Sequence, residues 1–182
     1  MKNSHLETSV FAGGCFWCTE AVFERLKGVE SVMSGYTGGH KANPTYQQVC
    51  EGQTGHADAI KIVYDPALIS YETLLAVFFA THDPTSLNRQ GSDVGSQYRS
   101  AIFYTTEEQK HLAEEFMKKL QEEGVYEKPI VTELKRLTDF YEAEEYHRQY
   151  YEKNKEAPYC QLVINPKIEK LKERYAHLLE ER

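Results

Sequence analysis

The order of short apolar segments along residues 10–104 constrains the fold of this chain more than any other feature. Val10-Phe11-Ala12 has the length and composition of a buried strand, and Gly13-Gly14 ends it. The periodicities predict the order strand, helix, strand, strand, helix, strand, at residues 10–12, 15–27, 29–36, 57–64, 70–81 and 101–104. This order is typical of the split βαβ, ferredoxin-like core. We therefore expect an α+β fold with helices on one face of an antiparallel or mixed sheet.

The last third of the chain is dense in charge and helical in pattern. A capping box of Thr106 and Gln109 begins a helix that Gly124 ends. Beyond it, the pattern predicts one strand and two helices, at residues 128–137, 142–153 and 166–180. No linker composition or internal repeat interrupts the sequence. We expect a single domain over residues 1–182, in which the C-terminal segment from about 154 to 182 is more mobile.

Charge and hydropathy exclude several classes of protein. The chain has 182 residues and a formal net charge of −7, which disfavours binding to nucleic acid. It contains no run of the ~18 apolar residues that a membrane helix needs. Residues 1–7 contain no apolar segment of the kind found in a secretory signal, so we expect a cytoplasmic protein.

Four cysteines, at positions 15, 18, 50 and 160, are too few for a disulfide-stabilised fold and are candidates for chemistry. Cys15 follows Gly13-Gly14 at a turn from strand to helix. Free backbone N–H groups and the helix dipole stabilise a thiolate at such a position. We interpret Cys15 as an activated nucleophile, and Cys18 lies one helical turn further on, within reach of a disulfide.

Two other interpretations of the two cysteines stay open. Both could be small core residues, with the glycines only forming a tight turn. Phe16 and Trp17 weigh against this, because a helix start is a poor place to bury both rings, and an exposed Trp beside a thiolate more often lines a pocket. The second is a zinc site, but no histidine has the spacing of a closed tetrahedral site, so we expect no metal.

A series of motifs carries a resemblance to a known family. Besides Gly14-Cys15-Phe16-Trp17, the chain contains, in order, Gly35–Gly39, Asn43–Tyr46, Gly55–Asp58, His82–Thr85 and Asn88–Ser100. Together they closely resemble the A-type peptide methionine sulfoxide reductases, from about Val10 to Lys167. The resemblance implies a two-layer α/β sandwich with a ferredoxin-like core and a helical or coiled C-terminal segment. It also implies an enzyme that returns methionine S-sulfoxide, free or in oxidised proteins, to methionine.

The resemblance implies roles for the residues around the sulfoxide. Cys15 attacks the sulfoxide sulfur and becomes a sulfenic acid. Phe16 and Trp17 form the apolar pocket for the methyl group, and hydroxyls of Tyr46 and Tyr98 bind the oxygen.

A carboxylic acid completes the reaction that the resemblance implies. Asp58 protonates the sulfoxide oxygen, and Asp93 supports the same network. The family usually has Glu in this motif, so the acid of this chain is one methylene shorter. A second cysteine then forms a disulfide with Cys15, and thioredoxin or another dithiol reduces it without a cofactor.

The identity of the second cysteine stays open. In many family members it lies in the C-terminal segment, as Cys160 does here, and this is the preferred assignment. Cys18 is the alternative because Cys-x-x-Cys closes readily within one helical turn, and direct reduction by a thiol is a third route. Cys50 receives no role.

Two other functions remain for a chain of this composition. One is a general thiol–disulfide oxidoreductase built on Cys15 and Cys18, and the other is a redox-sensing or zinc-binding module without catalysis. Nothing in the sequence indicates an obligate interface, so we expect a monomer. His147 is assigned to the periphery, and Tyr150 to packing of the C-terminal part on the body.

Overall fold

The computed structural model of the protein describes residues 5–180. It contains strands and helices in mixed order along the chain. The strands are β1 (Glu7–Gly13), β2 (Val29–Thr37), β3 (Ala57–Tyr64), β4 (Arg89–Gln90), β5 (Asp93–Val94), β6 (Ser100–Tyr104), β7 (Glu133–Arg136) and β8 (Phe140–Glu142). The α-helices are α1 (Phe16–Phe23), α2 (Tyr46–Cys50), α3 (Tyr71–Ala80), α4 (Glu107–Glu122), α5 (Tyr150–Lys153) and α6 (Asn165–Tyr175).

Six of the described strands form one sheet in the order β7-β6-β1-β3-β2-β8. Strand β1 is central and pairs antiparallel with both β3 and β6, and β2 pairs antiparallel with β3 and with β8. Only β7 runs parallel to its neighbour, β6. The prediction of an α+β fold with a mixed sheet is therefore confirmed.

The two faces of the sheet are buried in different ways. Large side chains of β1, β3 and β6 pack against α1 and α3 on one face, and they include Phe11, Ile60, Ile62 and Ile102. The opposite face carries smaller residues, which are Val10, Ala12, Ala57, Ala59 and Ala101 with Phe103, and Leu137 and Phe140 pack against them. Because successive residues of a strand point to opposite faces, this alternation fixes the register of the central strands.

The C-terminal part of the chain packs on α1. A π-helical turn (Cys160–Ile164) leads directly into α6. Its buried residues Cys160 and Ile164, together with Ile168 of α6, pack against Cys18 and Ala21 of α1. The C-terminal segment thus covers the helix that carries the predicted nucleophile.

Several predicted boundaries are wrong. Residues 142–153 do not form one helix, because the segment forms β8, a 3-10 turn (Glu145–His147) and the short α5. The strand predicted over 128–137 is confined to β7. The last helix starts earlier than predicted, since the π-helical turn precedes it, and the short helix α2 was not predicted.

Candidate active site

The predicted nucleophile stands at the turn between β1 and α1. Gly14 has a φ of +91°, a conformation that L side chains rarely adopt, and a Cβ there would lie 2.8 Å from Cγ of Gln90. Cys15 is the N-cap residue of α1, and its exposure is only 7%. Glycine thus lets the chain turn directly from a buried strand into a helix whose N-cap residue is a cysteine.

Cys15 and Asp58 share the N-terminus of α1. The backbone amide of Trp17 acts on the sulfur of Cys15 and lowers its pKa, although Cys15 forms no side-chain cap hydrogen bond, and the amide of Phe16 acts in the same way on the carboxyl of Asp58. Asp58 reaches this point from β3, and its exposure is 3%. Burial raises the pKa of Asp58 well above its usual range, and the negative charge of Asp93 adds to the effect. Burial therefore favours the protonated form of the carboxyl that lies beside Cys15.

Cys15 and Cys18 are coupled thiols. Burial, together with the hydrogen bond to Cys18, raises the pKa of Cys15 above its usual range. The same hydrogen bond, with the positive charge of Lys167, lowers the pKa of Cys18 to about 7. Desolvation outweighs the amide of Trp17, so the helix start by itself does not lower the pKa of Cys15 below its usual range. The pair holds its first negative charge on Cys18.

Cys160 is the third thiol of this region. It is fully buried in the same cluster as Cys15 and Cys18. Burial raises the pKa of Cys160, and the charge of Cys18 contributes to that shift, so Cys18 is its neighbouring thiol. All described cysteines are free thiols. Cys18 therefore interacts electrostatically with both Cys15 and Cys160.

Tyr159 joins Cys18 to Asp93. Its hydroxyl donates to Oδ2 of Asp93 at 2.7 Å and lies 3.4 Å from Sγ of Cys18. A cleft of about 420 Å³ opens at this point. Its lining includes Cys15, Cys18, Asp93, Tyr159, Leu162 and Lys167. The nucleophile and its neighbouring thiol therefore both reach a solvent-connected cavity.

Tyr46 and Tyr98 approach the nucleophile from α2 and from the turn before β6. Both are half-buried, and burial raises the pKa of each hydroxyl. The charge of Cys15 contributes to both shifts, and that of Asp58 contributes at Tyr98. Two protonated hydroxyls are thus within electrostatic range of the nucleophile and can donate hydrogen bonds.

Phe16 and Trp17 have different environments. Phe16 is fully buried, and its ring contacts those of Tyr36 and Tyr46. Trp17 is partly exposed and contacts the ring of Tyr159 edge to face, with 5.8 Å between centroids. The expectation that both rings cannot be buried at the helix start is therefore confirmed, and Trp17 is the ring at the surface of the site.

Two residues that the sequence did not assign to the site hold Trp17. The Nε1–H group of Trp17 donates to Nδ1 of His147 at 3.0 Å. The ring of Tyr150 stacks on the indole with 3.6 Å between centroids and 6° between planes. The assignment of His147 to the periphery is wrong, since its side chain is fully buried. The cluster of aromatic side chains within residues 146–151 was the available signal in the sequence. It was missed because the whole segment was predicted to form one helix.

Glu144 is a further residue that sequence reasoning missed. Its carboxylate accepts hydrogen bonds from the hydroxyl of Tyr36 and from the backbone N–H of Tyr46, each at 3.1 Å. It therefore attaches the start of α2 to β2 and orients Tyr46. Cys50, at the end of α2, is exposed and interacts with the hydroxyl of Tyr46.

Two features are absent from the described residues. No group of three or more His, Cys, Asp or Glu side chains within residues 5–180 is arranged to hold a metal ion. No helix in the same part of the chain is long and apolar enough to cross a membrane.

Comparison with known proteins identifies the family. The family model of peptide methionine sulfoxide reductase matches residues 7–179. Peptide methionine sulfoxide reductase MsrA of Chromobacterium violaceum is 54% identical over 175 residues, which cover 96% of this chain and 99% of that protein.

Solved structures agree. The crystal structure of reduced Mxr1 from Saccharomyces cerevisiae has a TM-score of 0.78 at 30% identity and covers 87% of this chain and 91% of that one. Mxr1 in complex with Trx2 has a TM-score of 0.56 at 21% identity, covers 82% and 87% of the two chains, and supports the fold alone. The chain belongs to the peptide methionine sulfoxide reductase family.

Proposed function

We propose that this protein reduces the S epimer of methionine sulfoxide and that Cys15 is its nucleophile. Family membership makes the protein an oxidoreductase of the peptide methionine sulfoxide reductase type. The proposal adds the epimer, the residues and their order of action. The observation that carries it is the shared N-terminus of α1, where the Cys15 sulfur and the carboxyl of Asp58 are both buried and each interacts with a backbone amide.

The first step transfers oxygen from the substrate to the enzyme. The thiolate of Cys15 attacks the sulfoxide sulfur while Asp58 gives its proton to the sulfoxide oxygen, which is a poor leaving group until it is protonated. The S–O bond of the substrate breaks, the oxygen passes to the Cys15 sulfur as a sulfenic acid, and methionine leaves. The substrate sulfur gains two electrons and the Cys15 sulfur loses two. The raised pKa of Asp58 supports this role, because an ionised acid has no proton to give.

Cys18 acts as the base that ionises Cys15. The resting pair carries its first negative charge on Cys18, with Cys15 donating the hydrogen bond. Moving that proton from Cys15 to Cys18 as the substrate enters produces the nucleophile at the sulfur that faces the sulfoxide. This route requires no further base and supports attack near neutral pH.

The remaining residues bind the substrate. Trp17, held by its ring contacts, forms the apolar wall for the methyl group, and Phe16 supports that wall from beneath. Tyr46 and Tyr98 donate hydrogen bonds to the sulfoxide oxygen and stabilise its developing charge. Asp93 anchors Tyr159 beside the cleft through the bond at 2.7 Å.

Two disulfides form in succession after the first step. Cys18 attacks the sulfenic acid of Cys15, and a Cys15–Cys18 disulfide and water result. Cys160 then attacks Cys18, so that Cys15 is released as a thiol and a Cys18–Cys160 disulfide remains. The interactions of Cys18 with both Cys15 and Cys160 support this order over direct attack by Cys160, the resolving cysteine that the resemblance favoured.

Thioredoxin is the proposed reductant of the last disulfide. A thioredoxin dithiol takes over the disulfide by exchange and restores all three thiols of the enzyme. The complex of the structurally similar yeast Mxr1 with Trx2 motivates the choice of reductant. We further propose that the substrate is free or protein-bound methionine sulfoxide, that no cofactor or metal takes part, and that the enzyme acts as a cytoplasmic monomer with one catalytic domain.

We propose that the central strands form a ferredoxin-like, split βαβ core. Its support is the order β6-β1-β3-β2 with antiparallel pairing throughout, and the two helices α1 and α3 on one face. We retain the proposal of a two-layer sandwich with a mobile C-terminal segment; residues 181–182 of that segment lie outside the described residues.

The function is tested with separated epimers of methionine sulfoxide. We expect the purified protein to reduce the S epimer and not the R epimer, with dithiothreitol or with thioredoxin and its reductase. Cys15→Ser should abolish turnover, whereas Cys50→Ser, which removes an exposed thiol but keeps a hydrogen-bonding partner for the hydroxyl of Tyr46, should leave it unchanged. Equal rates on both epimers, or turnover by Cys15→Ser, would overturn the proposal.

A further inference from the structure

A buried carboxylate that the proposed mechanism does not use lies one helical turn after Trp17. Glu20 has an exposure of 3%, and it accepts a hydrogen bond from the hydroxyl of Ser34 at 3.1 Å. The backbone N–H groups of Gln149 and Tyr150 also donate to its carboxylate. A charged group is costly to bury without partners, and here three donors from two other segments supply them.

The two backbone donors belong to the start of α5. This helix has four residues, too few to be stable alone, and its N-cap residue Gln149 makes no side-chain cap hydrogen bond. Gln149 also has the left-handed conformation, with φ 50° and ψ 40°, which is uncommon for a residue other than glycine. The carboxylate of Glu20 therefore supplies from α1 the cap that α5 lacks.

The start of α5 in turn sets the position of Trp17. Tyr150, the first residue of α5, stacks on the indole with 3.6 Å between centroids. Glu20 and Trp17 lie on the same helix, so the contacts form a closed loop from α1 to α5 and back to α1. The ion pair between Arg25 and Glu152, at 2.9 Å, is a second attachment of α5. It involves the third residue of the helix, two positions after Tyr150.

We propose that Glu20 is a positioning residue for the substrate pocket, which holds the start of α5 so that Tyr150 stays stacked on Trp17. The inference rests on the proposed function only in taking Trp17 as the wall of the sulfoxide site. Glu20 affects the geometry of substrate binding and not the chemical step, because its side chain does not contact the reacting thiols.

The test is Glu20→Gln, assayed above the raised pKa of Glu20 with free methionine S-sulfoxide and dithiothreitol. Glutamine keeps the shape but offers one acceptor oxygen to three donors. We expect KM to rise roughly tenfold with kcat changed less than about twofold, since substrate positioning is lost and the chemistry is not. Trp17 is the one tryptophan of the chain, so its emission should shift to longer wavelength and its quenching by acrylamide should increase.

Two matched variants locate the effect. Glu152→Gln breaks the other attachment of α5 and should leave the emission of Trp17 unchanged. In a Tyr150→Ala background, Glu20→Gln should have no further effect on KM, because the two residues act in one chain of contacts. Full additivity of the two changes in KM, or a folded Glu20→Gln protein with wild-type KM and emission, overturns the proposal.

Two further measurements keep the test decisive. If Glu20→Gln does not fold, hydrogen exchange of the wild-type protein decides: slow exchange at the amides of Gln149 and Tyr150 supports the proposal, and fast exchange overturns it. If the wild-type protein lacks sulfoxide reductase activity, the proposed function fails, while the emission of Trp17 still tests the role of Glu20.

Discussion

Trp17 and His147 are joined by a hydrogen bond of 3.0 Å between Nε1 and Nδ1, although 130 residues separate them in the chain. Because the indole N–H can only donate, Nδ1 of His147 must be the acceptor, and the imidazole is the neutral tautomer with its proton on Nε2. Burial lowers the pKa of His147, which keeps the ring in this form. Protonation of Nδ1 would remove the acceptor and release Trp17.

Removal of that acceptor should weaken substrate binding. His147→Phe keeps a ring of similar size but leaves the indole N–H of Trp17 without a partner, at a cost of about 1–3 kcal/mol. We expect a rise of several-fold in KM for methionine sulfoxide and a shift in Trp17 emission. His111→Phe changes an exposed histidine of α4 and serves as the control. Wild-type KM and emission in His147→Phe would contradict the assignment.

The contrast between Cys15 and His147 shows what the sequence could and could not predict. Cys15 follows a glycine pair between a strand and a helix, and this local signal, with Phe16 and Trp17 beside it, was sufficient to predict it as the candidate nucleophile. His147 and Glu144 reach the site through a segment that forms β8, a 3-10 turn and α5 instead of one helix. Its structure is determined by tertiary contacts with Trp17, Tyr36 and Glu20, which no local periodicity reports.

The proton-donor role of Asp58 can be tested by its amide. Asp58→Asn keeps an acceptor for the N–H of Phe16 but carries no proton for the sulfoxide oxygen. We expect kcat/KM to fall by about 10²–10⁴. In the wild-type protein, activity should decline as pH rises through the raised pKa of Asp58, and the variant should lack this decline. Near-normal turnover by Asp58→Asn, measured beside Asp65→Asn from the end of the same strand, would exclude the assignment.

The same substitution should stabilise the protein, and the gain should depend on pH. In the unfolded chain Asp58 ionises near its ordinary pKa of 3.8, whereas burial raises its pKa in the folded protein well above that. Unfolding therefore releases a proton between these two pKa values, and the stability of the wild-type protein falls as pH rises through that window. The Asp58→Asn protein has no ionisable group at this position, so its stability does not fall in this way as pH rises.

We expect the difference in Tm between Asp58→Asn and wild type to be smallest below pH 3.8 and to grow as pH rises towards the folded-state pKa. Thermal unfolding followed by circular dichroism over a range of pH measures it. A Tm difference that does not change with pH would show that folding does not raise the pKa of Asp58.

The order of the disulfides can be read from trapped intermediates. After one equivalent of methionine sulfoxide without reductant, peptide mapping should find Cys18–Cys160 in the wild-type protein and Cys15–Cys18 in Cys160→Ser. In Cys18→Ser we expect a Cys15 sulfenic acid that dimedone traps, formed more slowly than in the wild-type protein, because both the base and the neighbouring thiol are missing. A Cys15–Cys160 disulfide formed by Cys18→Ser at the wild-type rate would instead establish direct resolution.

A comparison of Gly14→Ala with Gly52→Ala separates the cost of backbone conformation from the cost of packing at the turn before Cys15. Gly52 has a φ of +76° with no atom within 4 Å of an added Cβ, so Gly52→Ala should cost about 1 kcal/mol from backbone conformation alone. Gly14 has a similar φ of +91°, but an added Cβ would lie 2.8 Å from Cγ of Gln90. The side-chain amide oxygen of Gln90 in turn accepts a hydrogen bond from the backbone N–H of Asp83 at 3.0 Å.

We expect Gly14→Ala to lose a further ~1–3 kcal/mol of unfolding free energy from overpacking against Gln90, measured by urea unfolding. The excess should come with slower turnover, since Cys15 is the next residue, and equal losses in the two variants would mean that Gln90 yields without displacing the turn.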